Sequence, residues 1–211
     1  MLSVHGRKPA AVVVEPVARG LIGMGWTPNV TTVVGTLATV LVSVVLIPTD
    51  HLVLAAVLSA FFAAFDMVDG TMARLKGGGT AFGATLDASC DRITDGALFG
   101  SIAMWLIYVE QVGAVHVAAC LVVLVLSQVI SYIKARGEAG GLRIVGGLVE
   151  RPERLIVALC GLALQGFGVP HAVVVSLWIL VAGSAFTVVQ RLVFARNDPG
   201  ADTVMAPPAG A

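Results

Sequence analysis

Four aspartates interrupt two stretches of otherwise apolar sequence. Asp66 and Asp69 are three residues apart near the end of one stretch, and Asp87 and Asp91 are four apart near the start of the next. In a helix either spacing places both carboxylates on one face. Four carboxylates in one pocket repel one another unless a cation neutralises them. A set of oxygen ligands suits Mg²⁺ or Mn²⁺. Two such ions about 3.5 to 4 Å apart can clamp the attacking and leaving oxygens of phosphoryl transfer.

The same acids could instead form a salt network at the membrane boundary with three neighbouring bases, which are Arg74, Lys76 and Arg92. We favour the metal site, because ionisable side chains at membrane depth usually mark function. Small residues beside the acids, at Gly70 and Ala73, let a flat base or a diphosphate approach the backbone. The glycines at 77–79 fit either a flexible lid or a permissive turn, and the sequence leaves both open.

The composition places these acids in a membrane protein. Of 211 residues 57% are hydrophobic and 12% are charged, with a mean hydropathy of +0.94, whereas a soluble domain is about 25% charged. A soluble domain of 21.7 kDa cannot bury this much apolar surface. The 13 bases balance the 13 acids, so no nucleic-acid partner is indicated. The three cysteines have no CxxC spacing and predict neither a disulfide framework nor a zinc site.

Apolar runs predict the elements that position the acids. A bilayer core about 30 Å thick requires about 20 mostly apolar residues per helix. The predicted spans are 29–48, 51–74, 86–108, 112–134, 154–169 and 171–194. Residues 15–26 fit a short amphipathic helix at the interface, or equally a frayed segment. We therefore predict an all-α integral membrane protein in which six transmembrane helices follow a short interfacial helix. The predicted divisions are an N-terminal cytoplasmic segment (1–28), a transmembrane catalytic domain (29–196) and a disordered cytoplasmic tail (197–211).

The distribution of bases predicts the orientation. If both termini share a side with the two longer connections, all 13 Lys and Arg residues lie on that side or at its boundary. The short turns at 48–50, 110–111 and 168–170 contain no base. By the positive-inside rule the basic side is cytoplasmic. We expect a multi-pass protein of the plasma membrane, with both termini and the acids at the cytoplasmic face.

The acids also belong to a longer motif. Eight residues at fixed spacing form the pattern D-x2-D-G-x2-A-R-x8-G-x3-D-x3-D, from Asp66 to Asp91. This pattern resembles the signature of the CDP-alcohol phosphotransferase family, and the six predicted spans agree with that family's fold. The resemblance implies a metal-dependent enzyme. Its reaction would transfer a phosphatidyl group from CDP-diacylglycerol (CDP-DAG), or a similar group from another CDP-alcohol, to a hydroxyl with release of CMP. The resemblance also implies a homodimer.

The same resemblance implies residue roles. Asp66, Asp69 and Asp87 would hold Mg²⁺ or Mn²⁺, as two ions. Asp91 would lie near the second ion and act as general base on the acceptor hydroxyl. The cytidine diphosphate group would be bound by Pro28, Asn29, Asp66, Asp69, Gly70, Ala73, Arg74, Thr80, Gly83 and Asp87.

A second polar cluster in the sequence is basic. Arg154 begins a predicted helix, where a cation opposes the helix dipole and requires an anion, either Glu150, Glu153 or a substrate phosphate. Arg191 lies inside an apolar helix and also requires a partner. Arginines bind phosphate well, although basic side chains also snorkel at interfaces. The sequence at 131–136 and 150–154 further resembles actinobacterial members of the family, whose acceptor is inositol 1-phosphate. This resemblance implies that the acceptor phosphate contacts Ser131, Lys134, Arg136, Arg154 and Arg191.

Several alternatives stay open at this point. Glycerol 3-phosphate carries the same phosphate charge, so a phosphatidylglycerol-phosphate synthase is the nearest alternative enzyme. An intramembrane prenyltransferase would also use aspartate-bound magnesium and a diphosphate. A divalent-cation transporter would use the four aspartates as a cation path, but it would not explain Gly70, Ala73 and Gly83.

Overall fold

The structure is a computed structural model that describes residues 7–204, including the side chains of residues 14–65 and 67–204. The described residues form seven α-helices and no β-strand. The helices are α1 (Arg7–Gly23), α2 (Pro28–Leu46), α3 (Leu52–Leu75), α4 (Ala81–Tyr108), α5 (Ala114–Ala139), α6 (Arg151–Gly166) and α7 (Ala172–Arg196). The prediction of an all-helical chain is confirmed.

Capping residues determine where the two helices nearest the acids begin. Thr27 caps α2, and its side chain accepts a hydrogen bond of 3.3 Å from the Val30 N–H. Thr80 caps α4 in the same way and accepts from the Gly83 N–H at 3.0 Å. Threonine is a favoured residue at this position because its hydroxyl satisfies a backbone donor that the helix leaves without a partner. As a result α4 begins before residue 86, where hydropathy alone placed the start of the third span.

The helices differ in how well their length and composition suit a crossing of the bilayer. Within the described residues, four helices are long and apolar enough to cross a bilayer, namely α2, α3, α5 and α7. The fifth candidate, α4, carries acids and an arginine along its length, and the sixth, α6, has 16 residues. The structure therefore supports a membrane protein and does not establish all six predicted spans.

Packing gathers α2, α3 and α4 around the acids. α2 packs against both α3 and α4, while α6 packs against α3 and α7, and α5 packs against α4 and α7. The apolar core contains Phe99, Trp105 and Leu162, all 2% exposed or less. Leu37 and Leu41 on the outer face of α2 are each 63% exposed, as expected for side chains that meet lipid.

The N-terminal helix packs on the bundle. Ala18 of α1 is fully buried against Val68 and Met72 of α3. The observed helix begins and ends earlier than the amphipathic helix predicted over 15–26. Residues 1–6 of the predicted N-terminal segment lie outside the described residues.

The described part of the predicted tail forms turns. The Asp198 carboxylate accepts hydrogen bonds from the backbone N–H groups of Arg143, at 2.9 Å, and Gly200, at 2.8 Å. These two bonds lower the pKa of Asp198. Because the folded pKa is lowered, the contribution of these bonds to stability is present above the usual carboxyl pKa and is lost as pH falls through the folded value. Residues 205–211 of the predicted disordered tail lie outside the described residues.

Candidate active site

A large cavity lies between α2, α3 and the start of α4. Its volume is about 690 Å³. Among the described side chains, it brings together every residue predicted to bind the nucleotide except Arg74. Those residues are Pro28, Asn29, Asp69, Gly70, Ala73, Thr80, Gly83 and Asp87. Residues from three helices, predicted from the motif and from the start of the first span, therefore share one binding space.

Asp69 is a buried acid of the cavity and accepts a hydrogen bond from a neighbouring helix. Its side chain is 7% exposed, and its Oδ2 accepts a hydrogen bond of 2.5 Å from the hydroxyl of Thr32 on α2. The same hydroxyl lies 3.0 Å from the Pro28 carbonyl oxygen. A hydrogen bond of this kind orients a carboxylate for a ligand. Sequence reasoning missed Thr32, although its position four residues after Pro28 places both on one face of α2.

The donor set of the cavity fits a hard cation. Asp69 on α3 and Asp87 on α4 both line it, and Asp66 precedes Asp69 by three residues in α3, although its side chain lies outside the described residues. Carboxylate oxygens are the ligands that Mg²⁺ and Mn²⁺ prefer. Among the side chains that are described, no three His, Cys, Asp or Glu residues form a group that could hold a metal.

Asp91 lies beside the cavity, in a second and narrower space. This space has a volume of about 20 Å³, and its lining includes Asp87, Asp91, Thr94 and Arg151. Asp87 lines both spaces and so joins them. Arg151 Nη1 lies 2.9 Å from Asp91 Oδ1, and Arg151 Nη2 donates to the Thr94 hydroxyl at 3.3 Å. Sequence reasoning did not find this ion pair between α4 and α6.

The three bases proposed as an alternative salt network have different environments. Arg92 Nη2 lies 3.7 Å from Asp91 Oδ2, so part of that network exists. Arg74 donates to the Thr71 hydroxyl at 2.8 Å. Lys76 lines the large cavity, and its Nζ lies 3.4 Å from the Trp26 carbonyl oxygen.

The predicted phosphate-binding cluster divides into an exposed part and a buried part. On α5, Lys134 and Arg136 are exposed, and the Lys134 Nζ lies 3.9 Å from Glu138. Ser131 donates to the Ser127 carbonyl oxygen at 3.1 Å. Arg136 also lines a separate cavity of about 330 Å³ between the ends of α5 and α7.

Arg154 and Arg191 form the buried part of the cluster. Arg191 is 4% exposed and donates to Glu150, at 2.8 Å, and to the Ile130 carbonyl oxygen, at 2.6 Å. Arg154 is 1% exposed and donates to Asp95 on α4 at 2.5 Å. The expected anion beside Arg154 is therefore Asp95, which lies far away in sequence, and Glu150 serves Arg191 instead.

The chain is similar to known proteins over nearly its whole length. The profile of the CDP-alcohol phosphatidyltransferase family matches residues 25–189. A phosphatidylinositol phosphate synthase from Corynebacterium glutamicum is 63% identical, over 100% of this chain and 96% of its own length. The protein of the same name from Mycobacterium tuberculosis is 48% identical, over 96% of this chain and 94% of its own length.

Solved structures of the M. tuberculosis phosphatidylinositol phosphate synthase are also similar. The crystal structure with CDP-DAG bound has a TM-score of 0.88 and 48% identity, and the match covers 93% of this chain and 100% of that one. A second structure, in complex with manganese and citrate, has a TM-score of 0.87 and 48% identity, covering 92% of this chain and 93% of that one.

Proposed function

The chain belongs to the CDP-alcohol phosphatidyltransferase family and is an enzyme of that class, and we propose that it transfers the phosphatidyl group of CDP-DAG to inositol 1-phosphate. The products would be phosphatidylinositol phosphate and CMP. The observation that carries this proposal is the cavity in which five of the eight motif residues, from α3 and α4, lie together with residues at the start of α2. The name shared by relatives of nearly the same length supports the choice of acceptor.

We propose that Asp66, Asp69, Asp87 and Asp91 hold two ions of Mg²⁺ or Mn²⁺. Asp69 and Asp87 line the nucleotide cavity, and the similar M. tuberculosis structure contains manganese. When bound, such ions would neutralise the charge of the diphosphate and of the CMP that leaves. Thr32 would keep the Asp69 carboxylate in one orientation, because its hydroxyl already binds one oxygen.

The chain's own residues account for binding and proton transfer. Gly70, Ala73 and Gly83 leave the backbone open to the nucleotide, since none has a side chain larger than a methyl group. The acceptor oxygen would attack the phosphorus that carries the diacylglycerol, and the bond from that phosphorus to the oxygen of CMP would break. Asp91 would take the proton of the acceptor hydroxyl, while Arg151, 2.9 Å away, keeps its carboxylate oriented.

We propose that the acceptor phosphate binds the basic cluster. The exposed Lys134 and Arg136 would meet the phosphate first, and Ser131 lies on the same helix. Arg191 would complete the pocket by exchanging its carboxylate partner Glu150 for a phosphate oxygen. Arg154 would keep its pair with Asp95 and offer the phosphate its Nε, which has no hydrogen-bond partner among the described residues. Arginine suits this exchange because its guanidinium binds carboxylate and phosphate with the same geometry.

We propose that α2 to α7 all cross the plasma membrane and that the chain works as a homodimer. The charged part of α4 and the first turn of α6 would lie at the cytoplasmic boundary, where a water-soluble acceptor meets a lipid substrate. A helix of 16 residues such as α6 is about 24 Å long, and residues beyond its ends would complete the crossing. Both termini would be cytoplasmic, and α1 would lie at the interface.

The experiment that tests the proposed function measures CMP release by purified protein from CDP-DAG and Mg²⁺ with separate acceptors. We expect release with inositol 1-phosphate and little with free inositol, because only the former carries the phosphate that the basic cluster binds. Faster CMP release with glycerol 3-phosphate than with inositol 1-phosphate would identify glycerol 3-phosphate as the acceptor. No release with any acceptor would contradict the proposed reaction.

Gly83 provides a test of the nucleotide cavity. A Cβ atom at this position would lie 3.2 Å from both Asn29 Oδ1 and Thr80 Oγ1, so Gly83→Ala should push both side chains into the cavity. We expect the KM for CDP-DAG to rise about threefold to tenfold, equivalent to about 1 kcal/mol of lost binding. Gly96→Ala in the same helix is the matched control, since its methyl group meets nothing within 4 Å. Equal KM values for the two variants would contradict the position assigned to the nucleotide.

A further inference from the structure

Asp95 is a buried acid of α4 that the proposed reaction does not use. It follows Asp91 by four residues, so both lie on one face of the helix. The motif ends at Asp91, and sequence reasoning did not single out Asp95. Its side chain is 1% exposed. Burying a carboxylate to this extent has an energetic cost, because desolvation disfavours its charged form. The presence of Asp95 at this position therefore requires an explanation.

The partner of Asp95 is itself buried at an unfavourable place. Arg154 Nη2 lies 2.5 Å from Asp95 Oδ2, and its side chain is also 1% exposed. Arg154 belongs to the first turn of α6, where the helix dipole disfavours a cation. Among the described residues, Asp95 Oδ1 and Arg154 Nε are buried without a hydrogen-bond partner. A buried ion pair with unsatisfied atoms contributes less to stability than apolar residues of the same size would.

A second ion pair joins the same two helix segments. Arg151 precedes Arg154 by three residues in α6 and pairs with Asp91 at 2.9 Å. Two arginines on one face of α6 therefore meet two aspartates on one face of α4. Arg92 links the aspartates, at 3.7 Å from Asp91 and 3.9 Å from Asp95. The buried pair thus fixes the rotation of the first turn of α6, and with it the position of Arg151.

We infer that Asp95 is a positioning residue for the transfer reaction: by holding Arg154 it places Arg151 against Asp91. The inference rests on the proposed function, in which Asp91 takes the proton of the acceptor hydroxyl. Asp95 acts through the two arginines and does not touch the substrate. The presence of Asp95 is explained by its effect on the contact between Arg151 and Asp91, and not by a contribution to the stability of the fold.

The test begins with Asp95→Asn, which keeps the shape of the side chain and removes its charge. We expect the kcat of CMP release to fall about tenfold, since small displacements of reacting groups cost rate. The KM for CDP-DAG should not change, because the described lining of the nucleotide cavity comes from α2 to α4 and the residues that flank them. The matched control is Asp202→Asn, which removes the same charge from an exposed pair with Arg196 and should leave kcat unchanged. An unchanged kcat in Asp95→Asn would overturn the inference.

A double-mutant cycle with Arg151→Gln separates positioning from general damage. If Asp95 acts through Arg151, then Asp95→Asn should lower kcat less than about twofold in the Arg151→Gln background. Independent, multiplying effects would overturn the inference. If Asp95→Asn does not yield folded protein, Asp95→Leu with Arg154→Met replaces it, because apolar replacement of a buried pair preserves stability. Since Arg154 also belongs to the proposed acceptor pocket, this double variant is judged by its crystal structure and not by kcat.

The crystal structure of the Asp95 variant gives a result that does not depend on activity. We expect Arg151 to lie away from Asp91, and a retained contact near 2.9 Å would overturn the inference. A wild-type protein that releases no CMP would contradict the proposed function, and the structure of the variant would still decide the positioning role.

Discussion

Asp91→Asn is expected to lower the kcat of CMP release by about three to four orders of magnitude. Asparagine has the shape of aspartate but cannot take the proton of the acceptor hydroxyl. The KM for CDP-DAG should change less than about twofold, because Asp91 lies in the narrow space beside the nucleotide cavity and not in its described lining. Arg151 would then face a neutral amide in place of a carboxylate.

The measurement is steady-state CMP release at saturating CDP-DAG, inositol 1-phosphate and Mg²⁺, together with binding of CDP-DAG to the same preparation. Asp50→Asn is the matched control. Asp50 accepts a hydrogen bond from Trp105 Nε1 at 2.7 Å, at the opposite end of the bundle from the acids. Its kcat should stay near that of the wild type. More than a tenth of the wild-type kcat in Asp91→Asn would mean that another group takes the proton.

The shared helix faces of the motif could be predicted from the sequence, because helical spacing is a local property. Residues three or four positions apart share one face of a helix. Asp66 therefore shares a helix face with Asp69, and Asp87 with Asp91, independently of the rest of the fold. Asp69 and Asp87 line one cavity although they lie on different helices. α2 packs against both of these helices and contributes to the same cavity. The roles assigned to the residues of the motif stay predictions.

The partners of the buried arginines could not be predicted in this way. Arg154 pairs with Asp95 across 59 positions of sequence, and Arg191 pairs with Glu150 across 41. Each pairing depends on how far one helix is rotated against another, which apolar periodicity fixes only to within one or two residues. Sequence reasoning therefore recognised that both arginines needed an anion, but for Arg154 it considered only two nearby acids and a substrate phosphate.

The rotation of each helix about its own axis is harder to predict here than in a soluble helical bundle. Lipid-facing side chains are as apolar as core side chains, so hydropathy does not distinguish the two faces of a spanning helix. Exposed Val122 and buried Val123 on α5 are an example. Polar contacts such as Thr32 with Asp69 then identify the inward face, and such contacts are visible only in the structure.

Asp69→Asn is expected to lower kcat by about a thousandfold at the Mg²⁺ concentration that saturates the wild type. Asp69 is the buried acid of the nucleotide cavity, and its replacement removes one charged oxygen ligand from the proposed metal set. The concentration of Mg²⁺ or Mn²⁺ that gives half-maximal activity should rise at the same time. Thr32→Val should have a smaller effect of the same kind, about tenfold in that concentration, because it removes only the hydrogen bond that orients Asp69.

Metal titration of CMP release separates these effects from a loss of folding. For Thr32→Val we expect full kcat at high metal concentration, since the carboxylate remains and only its orientation is less restricted. For Asp69→Asn we expect kcat to stay low at every concentration, because a neutral amide is a weaker ligand for a hard cation. Melting temperatures within a few degrees of the wild type would show that both variants are folded. An unchanged metal requirement in Asp69→Asn would remove Asp69 from the metal set and leave it a structural partner of Thr32.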